Sequence, residues 1–193
     1  MTLITVTPQT AERDTRRWLE CAVIGLNLCP FAKAVHVRGQ VHYAVWPGDH
    51  EADLGELLAL LLSEAKSLVA QAPSARDTTL LMVPNALSDF FDFNDFTARA
   101  ERRLARAGFE GTLQLASFHP QFQFAGSAAD DIANATNRAP YPTLHLLREA
   151  SVERAVEAFP EAEVIYQRNI ETLTALGAVG WAALDVGPHR GHA

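Results

Sequence analysis

The chain has little cysteine and no long hydrophobic run. Only Cys21 and Cys29 occur among its 193 residues. If one helix carries Cys21 to about residue 27, their Cα atoms lie roughly 12 Å apart, too far for a disulfide. Unpaired cysteines are typical of a reducing compartment, so the sequence predicts a cytoplasmic protein. The longest apolar run, Leu57 to Leu62, is far short of the ~20 residues that span a bilayer, which argues against a membrane partner.

The chain also has little positive charge. It carries 16 Lys and Arg against 23 Asp and Glu, a formal net charge of -7. That balance repels polyanions at long range and argues against nucleic acid as the principal partner. The start of the chain lacks a basic stretch followed by a long apolar one, so we expect no secretory signal.

The composition is that of one ordinary globular domain. Hydrophobic residues make up 48% of the chain and charged residues 20%, and this length is enough to bury a full core. We therefore expect a single domain over residues 1–193, with 1–8 and 187–193 loosely ordered. Nothing in the sequence indicates the oligomeric state.

Hydrophobic periodicity predicts helices alternating with strands. The expected strands are 41–46, 78–83, 112–118 and 143–147. The expected helices are Thr10 to Leu26 with Thr10 as cap, 53–71, one opened by Ser88 or Asp89 and ended by Gly108, a short one opened by Ser127, one capped by Ser151, and one from Pro160 to Gly177. This order indicates an α/β fold: a single domain with a mixed central sheet of about four strands flanked by helices.

The direction of the fourth strand stays open at this point. Full crossover helices join the first three strands, which should therefore run mainly parallel. Matching the apolar faces of strands three and four places His145 on the face of Gln114 and Ala116, and His119 on the same face as Arg148. Parallel pairing would bring His119 and Arg148 together, whereas antiparallel pairing would separate them by most of a strand.

Chemistry-bearing residues concentrate in residues 118–148, about one sixth of the chain. A connection this long is usually functional or disordered, and its aromatic rings argue against disorder. His119 precedes Pro120, which favours an extended backbone at a strand end. A histidine placed there is a candidate general acid or base. The alternative is a histidine that bonds the backbone of the connection and holds its shape.

Amide and guanidinium groups in the same segment form a second candidate group. Asn134, Asn137, Arg138 and Arg148 supply donors that suit a carboxylate or a phosphate, so an anionic small molecule is the candidate ligand. The alternative is a long loop held by bonds from amides to the backbone and by pairing of Arg138 with Asp130 or Asp131.

Metal and cofactor sites are not expected. His119, His145, Asp130 and Asp131 include no closely spaced ligand pair, so we predict no metal and no cofactor. Cys29 could act as a nucleophile with a distant histidine, but we favour a structural role where the first helix turns into the core.

Four short segments together resemble a known family. They are Asn27-Leu28-Cys29-Pro30-Phe31, His119-Pro120 with Phe124-Ala125-Gly126, Asn137 to Pro142, and His145-Leu146-Leu147-Arg148. The chain resembles the bacterial domain-of-unknown-function family 1415 over almost its whole length. The resemblance implies a single-domain bacterial protein and carries no activity or catalytic residue with it.

The leading hypothesis is a small cytosolic enzyme acting on an anionic metabolite. In it His119 is the acid or base, Arg138 and Arg148 clamp the anion, and Asn134 and Asn137 orient it. The alternative is a non-catalytic module that uses the same segment to bind a ligand or a protein.

Overall fold

The computed structural model describes residues 5–49, 53–158 and 164–189. Its helices are α1 (Pro8–Trp18), which continues into a π-helical segment (Leu19–Ile24), then α2 (Ala32–Val37), α3 (Leu54–Ala70), α4 (Phe90–Arg106), a 3₁₀ segment (Ile132–Asn137), α5 (Glu149–Glu157) and α6 (Val164–Ala183). The strands are β1 (Val41–Val45), β2 (Thr78–Met82), β3 (Leu113–Phe118) and β4 (Thr143–Arg148). The α/β expectation and the central four-stranded mixed sheet are confirmed.

The fourth strand lies inside the sheet and runs against its neighbours. The strand order is β1-β2-β4-β3, with β1 parallel to β2 and β4 antiparallel to both β2 and β3. The first three strands therefore share one direction, as expected from their crossover helices. Ala116 is opposite His145 and Leu115 is opposite Leu146, which confirms the predicted matching of faces. Antiparallel pairing decides the question that the sequence left open.

One face of the sheet carries the main core under α3 and α4. Leu57, Leu61 and Leu68 recur at helical spacing on α3 and are fully buried against Leu144 and Leu146 of β4. Burying such a side chain contributes roughly 1.5–3 kcal/mol relative to leaving it exposed. The leucine periodicity of α3 thus fixes which face of β4 points inward, and His145 must point the other way.

The opposite face is covered by the beginning of the chain. Trp18 and the π-helical segment pack against Phe118 and against Val41 and Tyr43 of β1. Trp18 meets Phe118 edge-on, with ring centroids 5.1 Å apart. Trp18, Leu19 and Val23 of this layer form part of the cavity considered below.

Several expected helix ends are wrong in detail. Thr7 rather than Thr10 caps α1, and its side chain accepts a hydrogen bond from the backbone N–H of Thr10. The helix begins earlier than expected because Pro8 suits its first position, where no N–H partner is needed. Asp131, not Ser127, caps the 3₁₀ segment. Helix α2 was not expected after Pro30. Gly177 interrupts α6 with a φ of 65°, a left-handed conformation that glycine adopts without strain. The expected start at Pro160 lies outside the described residues.

The chain ends are held where the structure describes them. The backbone N–H of Val6 donates to Asn85, and His189 contacts Asp14. Residues 1–4 and 190–193 lie outside the described part. Within the described ranges, no helix is long and apolar enough to cross a membrane.

Candidate functional site

An apolar cavity of about 350 Å³ lies on the second face of the sheet. Its floor is formed by alternate residues of all four strands, and its walls by α1, the π-helical segment, α2 and α5. The side chains of the floor are Val41, Thr78, Leu80, Ala116, Phe118, His145 and Leu147, and those of the walls include Trp18, Leu19, Val23, Cys29, Phe31, Val35, Val152 and Ala155. The volume lies in the range of small-molecule sites, roughly 300–1,000 Å³.

His145 is the imidazole of this cavity, and Thr78 fixes its orientation. Nε2 of His145 lies 2.6 Å from the Thr78 hydroxyl oxygen, which itself donates to the Leu146 carbonyl over 2.7 Å. The hydroxyl has a single proton and the carbonyl can only accept. Nε2 of His145 therefore carries the ring proton and donates it to Thr78. Across the described residues, Nδ1 of His145 has no hydrogen-bond partner, so its lone pair remains available to a ligand.

The imidazole of His145 is neutral at physiological pH. Burial among apolar groups lowers its pKa to about 4, because a charged ring loses hydration there and no carboxylate compensates. Asp77, which also borders the cavity, accepts from Ser151 and lies 3.9 Å from Nε of Arg148. The ring can therefore accept a hydrogen bond but is not poised to exchange protons near neutral pH.

We expect the stability of the protein to depend on His145 below pH 6.5. The unfolded ring binds a proton near pH 6.5 and the folded ring only near pH 4, so the unfolded state gains protons first on acidification. The free energy of unfolding should fall from pH 6.5 to pH 4 by up to about 3 kcal/mol. Urea denaturation at several pH values would measure this, and His145→Phe should remove that part of the slope. Equal slopes in the two proteins would contradict the assignment.

A more polar cleft adjoins the cavity and shares part of its lining. The shared residues are Phe31, Val35, Asp77, Ser151 and Ala155. Its outer wall includes Arg38 and Arg154, both exposed, and Gln40. The apolar cavity thus borders a cleft whose wall carries charge.

His119, the predicted catalytic residue, is fully buried outside this cavity lining. Its Nδ1 accepts the Gln121 backbone N–H over 3.0 Å, and its Nε2 lies 3.0 Å from the Leu87 carbonyl oxygen. Its ring also packs on those of Phe90 and Phe93. Burial lowers its pKa. Both ring nitrogens are engaged by backbone, which is the arrangement expected of a histidine that holds the connection in shape.

Asn134 and Arg138 are brought together, and both bond the backbone of the long connection. Asn134 is fully buried; its side chain accepts from the Phe124 backbone N–H and donates to the Ala128 carbonyl. Arg138 donates to the carbonyls of Phe122 and Ala129. Burial lowers the pKa of Arg138, partly offset by Asp131. These donors shape the segment between β3 and β4.

Arg148 lies at the far end of β4 from this group. It is opposite Leu113 in the strand pair, so antiparallel pairing separates it from His119 by most of a strand. Its guanidinium donates to the carbonyls of Leu68 and Gln71 at the end of α3 and to that of Arg76 before β2. Arg148 also borders the cavity. The antiparallel sheet therefore separates Arg148 from His119, whose backbone N–H instead donates to the Asn137 carbonyl within the connection.

The contrast between Asn134 and Asn137 gives a direct test of the connection. Asn137 ends the same 3₁₀ segment, and among described residues its side chain makes no hydrogen bond. We expect Asn134→Ala to lower the free energy of unfolding by about 2 kcal/mol, because buried partners lose their bonds, and to expose residues 120–142 to proteolysis. Asn137→Ala should change neither quantity appreciably. Similar behaviour of the two variants in denaturation and proteolysis would contradict this assignment.

Both cysteines are free thiols, as expected. Cys29 lines the cavity, and burial raises the pKa of its thiol despite hydrogen bonds from the Phe31 and Ala32 backbone. A raised pKa lowers the thiolate fraction and favours the structural role. In the described ranges, no three His, Cys, Asp or Glu side chains are arranged to hold a metal.

A buried polar cluster around Asp14 was not predicted from the sequence. This carboxylate is 1% exposed and accepts from the Tyr141 hydroxyl over 2.7 Å and from the His189 backbone N–H over 2.8 Å. Nδ1 of His189 lies 3.2 Å from its other oxygen. The partners are more than a hundred residues apart along the chain, so spacing could not reveal the cluster.

Comparison with known proteins identifies a family but no activity. The family model described as "Protein of unknown function (DUF1415)" matches residues 10–183. The chain belongs to the DUF1415 family. No curated protein and no solved structure matches it.

In this DUF1415 protein, two of the segments that carry the family resemblance meet at the cavity. Cys29 and Phe31 of segment 27–31 form part of one wall, and His145, Leu147 and Arg148 of segment 145–148 form part of the floor and rim. The alternation of side chains along β4 indicated that residues 145 and 147 share the face opposite the leucine core, which is the face that borders the cavity. The wall from α1 had no such signal, because its docking is a tertiary event.

Proposed function

We propose that this protein is a non-catalytic binding protein for a small, largely apolar molecule. The observation that carries the proposal is the cavity of about 350 Å³, whose walls are almost wholly apolar and whose floor includes one neutral imidazole. Close packing is the rule in protein interiors. An apolar recess of ligand size between the sheet and the helices that cover it therefore favours an occupant.

The polar groups around the cavity favour binding over catalysis. His145 is held by Thr78, and Asp77 is engaged by Ser151. General acid–base chemistry near neutral pH needs a group whose pKa lies near the working pH, whereas that of His145 is lowered to about 4. The lining supplies an apolar surface of ligand size, which suits binding of a ligand rather than its chemical conversion.

A cavity-filling variant tests the proposal. N-phenyl-1-naphthylamine should bind wild type saturably at one site, seen as enhanced dye fluorescence. Ala116→Phe puts a ring into the recess opposite His145, and we expect it to weaken binding by at least about tenfold, since each 1.4 kcal/mol of lost burial is tenfold. The control Val179→Ser removes a side chain that is 86% exposed on α6. Equal loss in both variants, or none in Ala116→Phe, would count against the cavity.

An enzyme acting on an anionic metabolite stays a second hypothesis. The observation in its favour is the adjoining cleft with Arg38 and Arg154 in its wall. Thermal stabilisation by an anionic metabolite that is lost in Arg38→Ala and Arg154→Ala would support it.

The proposal includes a bacterial, cytoplasmic setting and a small molecule as the partner. The free thiols of Cys21 and Cys29 support a reducing compartment. The net charge of -7 argues against nucleic acid as the ligand.

A further inference from the structure

An unpaired acceptor of the cavity lies on His145, whereas Nε1 of Trp18 and Nε of Arg148 are donors of the lining without a hydrogen-bond partner among the described residues. The Nε2–H of His145 donates a hydrogen bond to the Thr78 hydroxyl, which in turn donates to the Leu146 carbonyl. The only acceptor left on the ring is the Nδ1 lone pair. This chain of bonds is built on β2 and β4, the paired strands at the centre of the sheet, so the ring cannot easily turn to present an N–H instead.

The side chains around His145 limit which chemical groups of a ligand could bind to Nδ1. Phe118 packs on the ring with centroids 5.8 Å apart. Leu80 and Ala116 are its cross-strand partners. A carboxylate beside this lone pair would be repelled by it and would lose its hydration among apolar side chains. A neutral hydroxyl or N–H would satisfy Nδ1 and leave the rest of the ligand in apolar contact.

Resting on the proposed function, we propose that the ligand is an apolar molecule carrying a neutral hydrogen-bond donor, such as a phenol or an alcohol, that donates to Nδ1 of His145. The aromatic side chains Trp18, Phe31 and Phe118 in the lining provide faces and edges for a ring-containing body. The ligand would therefore be recognised by one hydrogen bond that it donates to His145, within a cavity that otherwise offers mainly apolar contacts.

A matched series of probes separates this inference from the proposed function. The probes are 2-naphthol, its methyl ether 2-methoxynaphthalene, and naphthalene, which share one apolar body and of which only the first has a donor. Isothermal titration at pH 7.5 should show 2-naphthol binding about threefold to tenfold more tightly than the ether, the scale of one neutral hydrogen bond. His145→Phe, which keeps an aromatic ring at this position, should bind all three and abolish the preference.

The outcomes are distinguishable. Binding of all three probes to wild type with equal affinity would overturn the inference and leave the apolar binding function standing. A preference that persists in His145→Phe would also overturn it, because the donor would then be recognised elsewhere. Absence of binding by all three would count against the proposed function and the inference together. The comparison of the three probes on wild type tests the inference even if His145→Phe folds poorly. In that case Thr78→Val serves as the second variant: it removes the hydroxyl that orients the His145 ring, and it should reduce the preference for 2-naphthol.

Discussion

Replacing Arg76 by methionine is expected to lower the free energy of unfolding by about 3–5 kcal/mol, the scale for breaking a buried ion pair on one side. Arg76 is 5% exposed. Its guanidinium pairs with Glu64 and donates to the hydroxyls of Ser67 and Thr79. Loss of the guanidinium leaves the Glu64 carboxylate of α3 with His42, at 3.5 Å, as its one ion-pair partner among the described residues.

A double variant distinguishes loss of packing from loss of charge pairing. Arg76→Met with Glu64→Met should recover part of the stability, because no unpaired charge then remains. Arg102→Met, at an exposed position of α4, controls for replacement of an arginine and should be nearly neutral. Urea denaturation monitored by tryptophan fluorescence measures all four proteins. A single variant within about 1 kcal/mol of wild type would show that the pair contributes little.

The second large effect is expected at Asp14. Asp14→Ala should lower the free energy of unfolding by about 3–5 kcal/mol, because the Tyr141 hydroxyl is left buried without its acceptor and His189 loses one of its two carboxylate partners. Burial and the bond to Asp14 raise the pKa of Tyr141, so the phenol remains a donor at all working pH values. The backbone N–H of His189 should exchange faster in the variant, since it loses its bond to Asp14, whereas Arg17 still holds the carbonyls of Leu184 and Asp185.

Two neighbouring changes sharpen the test at Asp14. Asp14→Asn keeps an oxygen acceptor for Tyr141 and should cost less than Asp14→Ala. Arg13→Ala removes a salt bridge whose arginine side chain is 64% exposed, and exposed pairs contribute little. If Arg13→Ala were as damaging as Asp14→Ala, the exposed ion pair rather than the buried cluster would be responsible.

Both predictions concern the walls of the cavity as well as stability. Arg76 lies just before Thr78, which orients His145, and Asp14 lies one helical turn before Trp18, which faces Phe118. Variants that loosen these anchors should weaken ligand binding indirectly. Binding measured below their unfolding transition separates the two effects, because an intact cavity retains the 2-naphthol preference.

Local periodicity was sufficient for the strands and for most helices. The leucines of α3 repeat on one face, and the alternation of β3 and β4 correctly matched Ala116 with His145. Caps were less well determined: Thr7 and Thr10 are both good cap residues, and the choice between them followed from Pro8. The sequence pattern located polar and ionisable residues in 118–148. It did not reveal which of their side-chain atoms would be engaged in hydrogen bonds to the backbone.

The sequence by itself determined an α/β domain, its strand faces and its free cysteines, because period and composition are local properties that survive without knowledge of contacts. Only the tertiary structure decided that β4 runs antiparallel between β2 and β3, which separates Arg148 from His119. Only it showed that Asn134 and Arg138 bond the backbone of their own segment. The docking of α1 over the second face, which creates the cavity around His145, joins residues more than a hundred positions apart. Such long-range packing depends on the shapes of whole surfaces, and no local pattern in the chain encodes it.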